Sequence, residues 1–154
     1  MAVVFSALDY GDVVYRHASA TSLKALDAAY HSALRFIMEE ANNTHHGTLC
    51  EEVEWISLSA RRDLHLFLFI YEALLGKLPA YITSLINWYS SPYQTRAGRL
   101  ALKIPQVRTE LGKTAFSLYA PSAWNTLQHD LGINTFVPFS LFLDIAQGPP
   151  VSFM

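Results

Sequence analysis

Between Leu64 and Tyr71 the chain reads Leu-His-Leu-Phe-Leu-Phe-Ile-Tyr, apolar on nearly every side of a helix, and Gly76 ends the run. A helix that is apolar all round has to be covered by protein or lipid. Lipid is a poor fit. A helical span needs about 20 apolar residues, and the run from Leu64 to Leu75 is shorter and contains His65 and Glu72. The stretch is therefore predicted to be the central buried helix of a mainly α, irregular domain. Ser57 or Ser59 starts it and Gly76 stops it, because glycine is favoured just past a helix end. Leu64, Leu66, Phe67, Leu68, Ile70, Tyr71 and Leu74 are its expected core residues.

The same logic orders the rest of the chain. Residues 3–17 mix β-formers with Asp and Gly and predict a short helix or strand. Behind the cap candidates Ser19, Thr21 and Ser22, apolar residues recur at Leu23, Leu26, Tyr30, Leu34 and Ile37. That is helical spacing, and the turn-prone Ala41-Asn42-Asn43 ends it. Thr44 can cap a short helix through Glu51 and Trp55. Pro79 can open another through Ile86. Residues 100–105 alternate loosely and end at Pro105, as in a short edge strand or hairpin near 93–108. Helices are expected from about Glu110 to Tyr119 and from Pro121 through Leu131, with Ser122 or Asn134 as caps. The chain is expected to form one domain over 1–146, with 147–154 a loose tail broken by Gly148-Pro149-Pro150.

Charge narrows the function classes. Charged residues are 16% of the chain, against about 25% in a typical soluble domain. Either the core is tightly packed or apolar faces meet a neighbour. Eleven basic and 13 acidic residues leave a net charge of −2. No global field attracts nucleic acid or membrane, so any such contact needs a local patch. Cys50 is the single cysteine, which excludes an internal disulfide and suits an intracellular chain. Met1–Leu8 lacks the basic start of a signal peptide and is followed by Asp9 and Asp12. The sequon Asn42-Asn43-Thr44 is then a chance match.

Catalytic motifs find little support. Asp9-Tyr10-Gly11-Asp12 invites comparison with a two-metal polymerase site, but its acids are three apart and no partner strand is evident. The structural reading is a turn. His45, His46 and Cys50, beside Glu51 and Glu52, are metal-capable. A structural zinc site needs four ligands in paired spacings; no second pair is evident, and His65 would have to arrive by folding. Acids flanking Cys50 would raise its thiol pKa, against nucleophilic use. Neither G-x-S-x-G nor a glycine-rich nucleotide loop occurs. No catalytic residue, metal, cofactor or small-molecule substrate is expected.

Residues 89–113 stand apart. They carry Arg96, Arg99, Lys103, Arg108 and Lys113 against one acid, Glu110, beside Trp88, Tyr89 and Tyr93. Cations track phosphates and aromatic rings stack on bases. Arg96, Arg99, Lys103, Arg108, Lys113 and Tyr93 are therefore the candidate contacts to RNA or DNA backbone. The plainer reading is a solvated loop with ordinary basic residues.

A series of blocks carries a resemblance across roughly residues 8–143. It opens with Asp9-Tyr10-Gly11-Asp12-Val13-Val14-Tyr15, then Leu26-Asp27 and Tyr30-His31-Ser32-Ala33-Leu34-Arg35-Phe36-Ile37. Thr44-His45-His46, Trp55, Ser57-Leu58 and Arg61-Arg62 come next, followed by Phe69-Ile70-Tyr71, Ala73-Leu74, Gly76-Lys77-Leu78-Pro79 and Tyr81. Tyr93, Arg96 and Pro105 lead to Arg108-Thr109-Glu110-Leu111-Gly112-Lys113, Phe116, Ala120-Pro121, Trp124-Asn125 and Leu127. Together these resemble the region that follows the polymerase domain in vertebrate LINE-type (non-LTR) retrotransposon reverse-transcriptase proteins. The resemblance implies an endonuclease and a reverse transcriptase upstream, the polymerase domain among the partners, and a palm motif that this sequence lacks. It implies thumb support or grip on template RNA or target DNA here. Departures are specific: Glu52 and Glu72 stand where the family usually has cations, and Leu143 where a Lys commonly follows the Phe. Such changes weaken phosphate binding. They suggest a decayed or mispredicted copy. The alternatives are a helical protein-interaction domain or a copy with no retained activity.

Overall fold

A computed structural model describes residues 2–39, 56–90, 100–132 and 140–142. The chain is mainly α. Among the described residues the helices are α1 (Ala2–Asp9), α2 (Asp12–Tyr15), α3 (Ala20–Met38), α4 (Leu58–Leu74), α5 (Ala80–Thr83), α6 (Glu110–Lys113) and α7 (Phe116–Leu131). No helix among the described residues is long and apolar enough to cross a membrane. The chain divides into two compact units, residues 1–65 and 66–154, and α4 contributes its first half to one and its second half to the other.

In the first unit, the stretch predicted as a short helix or strand forms two helices, α1 and α2, with a turn at Tyr10-Gly11 between them. Gly11, at φ +70°, makes the turn between α1 and α2 in a conformation that costs other residues about 1–2 kcal/mol. Ser19 caps α3 by accepting from the Ser22 N–H. Tyr30 and Leu34, four apart, are its buried residues and join Leu8 and Leu58 in the core, with Phe5 and Leu26 packed against them. Ile37, expected on the same stripe, is 41% exposed. It lies in the last turn, where Glu39 at φ 53° ends the helix before the predicted Ala41. The Tyr30 hydroxyl donates to the Ile56 carbonyl, 2.9 Å away. This bond ties α3 to the residues leading into α4. Ser57 starts α4, accepting from the Ala60 N–H. The helix predicted after Thr44 lies outside the described residues.

In the second unit the apolar half of α4 is buried at Leu66, Phe67, Ile70, Tyr71 and Ala73. Leu68 and Leu74, predicted with them, are half-buried. Gly76 (φ +69°) follows the helix end as expected, and α5 is shorter than predicted, ending at Thr83 rather than Ile86. Trp88 and Leu102 form an isolated antiparallel bridge, flanked by Tyr89 N–H to Ala101 carbonyl (2.9 Å) and Lys103 N–H to Asn87 carbonyl (2.8 Å).

The predicted Glu110–Tyr119 helix is split. Thr109 caps α6, which closes at Thr114, and α7 starts afresh at Phe116. Pro121 falls inside α7 instead of opening a helix. The Pro121 ring is fully buried, and this packing offsets the backbone hydrogen bond that proline cannot donate. Ser122, expected as a cap, is mid-helix and exposed, and Asn134 lies outside the described residues. Ala120, Trp124 and Leu127 form the buried stripe of α7. Trp124 meets Phe142 at 5.8 Å between ring centroids, and Phe142 stacks on Tyr71 at 4.6 Å and 10°. Phe69 meets Phe116 edge-on at 5.7 Å.

Candidate functional site

Two polar constellations emerge, one in each unit. The first gathers the acids of Asp9-Tyr10-Gly11-Asp12 against α4. The αL turn at Gly11 puts Asp9 at the end of α1 and Asp12 at the start of α2, and Asp12 is 4% exposed. Arg61 on α4 grips Asp9 with a two-pronged fork, Nε to Oδ1 and Nη2 to Oδ2, both 2.7 Å. Its guanidinium carbon lies 4.6 Å from the Phe5 ring centroid. One helical turn on, His65 Nδ1 pairs with Asp12 Oδ2. The other Asp12 oxygen accepts from the Val13 N–H at 2.7 Å. Arg16 pairs with Asp63, and Arg62 stands 3.7 Å from Asp27.

Electrostatics follow from this packing. The Asp9 hydrogen bond is the largest cause that raises the Arg61 pKa. The Tyr15 hydroxyl donates to the Leu8 carbonyl. Burial first, then the Asp12 carboxylate, push the Tyr15 phenol pKa up, with Arg62 opposing. Asp9, Asp12 and His65 each bring one ligand atom within 4.8 Å of the others. That set could present three ligands to a metal ion. Arg61, however, already engages both oxygens of Asp9, and a cation entering there would meet a permanent positive charge. The arrangement is satisfied as an ion-pair junction that fastens the α1–α2 corner to the start of α4. His65 does arrive by folding, but at Asp12. His45, His46 and Cys50 lie outside the described residues.

The second constellation is the basic segment. Tyr93, Arg96 and Arg99 lie outside the described residues. Lys103, Arg108 and Lys113 are solvent-exposed. Lys113 Nζ is 2.6 Å from Glu110 three residues earlier on α6, so one predicted phosphate contact has a carboxylate beside it. Lys103 has no ion-pair partner among the described residues.

The position of Lys103 is fixed from α7. The Asn125 side chain accepts from the Leu102 N–H and donates to the Leu102 carbonyl, each at 2.8 Å. It thus supplies both bonds that a neighbouring strand would. Trp124 Nε1 donates to the Leu100 carbonyl at 3.0 Å. Sequence reasoning missed this clamp. The available signal was a carboxamide directly after a buried-stripe tryptophan, where a side chain can reach an incoming extended segment.

Comparison with known proteins adds no further constraint: no family model, no curated protein and no solved structure matches the chain.

Proposed function

We propose that this chain is a non-catalytic, mainly helical accessory region of the LINE-type reverse-transcriptase kind, which holds nucleic acid backbone weakly and without sequence preference. The observation that carries the reading is the ordered series of blocks from Asp9-Tyr10-Gly11-Asp12 to Trp124-Asn125. Two features support it. The acids that most resemble a polymerase metal site are engaged by Arg61, His65 and the Val13 N–H. Lys103 and Arg108 are solvent-exposed, as phosphate contacts must be. Arg96, Arg99 and Lys113 complete the proposed set, with Tyr93 as a stacking ring.

Binding is the test. Affinity for single-stranded RNA should fall around 10⁻⁴–10⁻⁶ M and weaken steeply with salt, as for non-specific phosphate contact. A fluorescence-anisotropy titration at low salt decides. Folded protein that binds no RNA at concentrations of about 100 μM, the weak end of that range, would leave a protein-interaction domain or an inactive copy as the better reading.

A further inference from the structure

We infer that the face of the Trp88–Leu102 bridge bearing Tyr89 and Lys103 is a stacking subsite for one unpaired base of a single-stranded polynucleotide. The inference rests on the proposed nucleic-acid role and locates it on named side chains.

The pairing register carries the argument. Trp88 opposes Leu102, so Asn87 opposes Lys103 and Tyr89 opposes Ala101. Side chains alternate across extended backbone. Trp88 and Leu102 therefore share one face, and Leu102 is buried there at 2% exposure. Asn87, Tyr89, Ala101 and Lys103 share the other. Asn87, Tyr89 and Lys103 are all exposed, and Tyr89 keeps 59% of its surface in water. Tyr89 and Lys103 are diagonal neighbours, which places their Cβ atoms about 7 Å apart or somewhat less.

The chemistry of that pair selects the partner. An exposed phenol ring offers a π-face to any base, and a lysine on the same face holds the adjoining phosphate. Ala101, opposite Tyr89, carries only a methyl group. Lys103 has no carboxylate partner among the described residues, unlike Lys113. The backbone under the pair is anchored to α7, where Asn125 holds Leu102 by both its N–H and its carbonyl. A duplex keeps its bases stacked on one another and offers no free face, so the subsite favours single strands.

Anisotropy titrations with a labelled oligouridine, and with a duplex of equal length, test this. Tyr89→Ala should weaken oligouridine binding roughly 5- to 150-fold and leave the salt slope unchanged. Tyr89→Phe should bind like the parent. Tyr81→Ala, which removes another exposed tyrosine (71%), should have no effect. Lys103→Ala should reduce the salt slope by about one unit. Circular dichroism checks that each variant is folded. Parent-like binding by Tyr89→Ala, or equal preference for the duplex, overturns the subsite while the proposed function stands. No binding by the parent chain sinks the proposed function, and the subsite with it.

Discussion

Removing the Asn125 carboxamide leaves Leu102 with two unpaired backbone groups at a position that is almost fully buried. Each such group costs about 1–3 kcal/mol. Asn125→Ala should therefore destabilise the chain by about 2 kcal/mol or more, read as a lower urea midpoint at unchanged m value. A midpoint within error of the parent would mean that Leu102 finds other partners. Tyr15 should make stability depend on pH at the alkaline end. Burial and Asp12 raise its folded pKa above the ordinary value of 10.0. Its contribution is thus fully present below pH 10 and is lost as pH rises through the folded pKa, where the unfolded chain has already released its proton. Tyr15→Phe should flatten that part of the alkaline stability profile, measured by thermal melts across pH 9–12. An unchanged slope would assign the effect to other groups.

Helices α3 and α4 were legible in the sequence because an apolar face of each had to be buried. The apolar run after Leu64 fixed α4, and the Tyr30–Leu34 spacing fixed the packed face of α3. Boundaries were less legible where local signals competed. Pro121 read as a helix start because proline suits a first turn, yet its ring is worth more inside the core, and α7 runs through it. The junction at Asp9, Asp12, Arg61 and His65 was not legible, because residues about 50 positions apart meet only through folding. Its strength resides in the Arg61 fork. Hydrogen bonds to charged groups contribute about 1.5–3 kcal/mol, so Arg61→Ala should lose about that much. Arg61→Lys should recover little of it, since lysine cannot form the two-pronged fork. Full rescue by lysine in chemical denaturation would reduce the junction to simple charge pairing. In the other half of α4, Phe67→Ala should cost about 3–5 kcal/mol by opening a cavity.

At the scale of the whole molecule, a net charge of −2 confines attraction for nucleic acid to a local patch. That patch is proposed to lie on the segment from Tyr89 to Lys113, in a chain proposed to have no chemistry of its own. Purified chain should therefore add no nucleotides to a primed template with magnesium or manganese. Incorporation that survives repurification and disappears in Asp12→Ala would overturn the non-catalytic assignment. The most direct test of the central claim is the salt dependence of single-stranded RNA binding, compared between the parent chain and the Arg96→Ala/Arg99→Ala double variant. If the basic segment holds phosphates, the parent's log affinity falls steeply with log salt, and the double variant's slope is shallower by up to ~2 units. Parallel slopes of equal affinity would show that the bound phosphates lie elsewhere and would contradict the account.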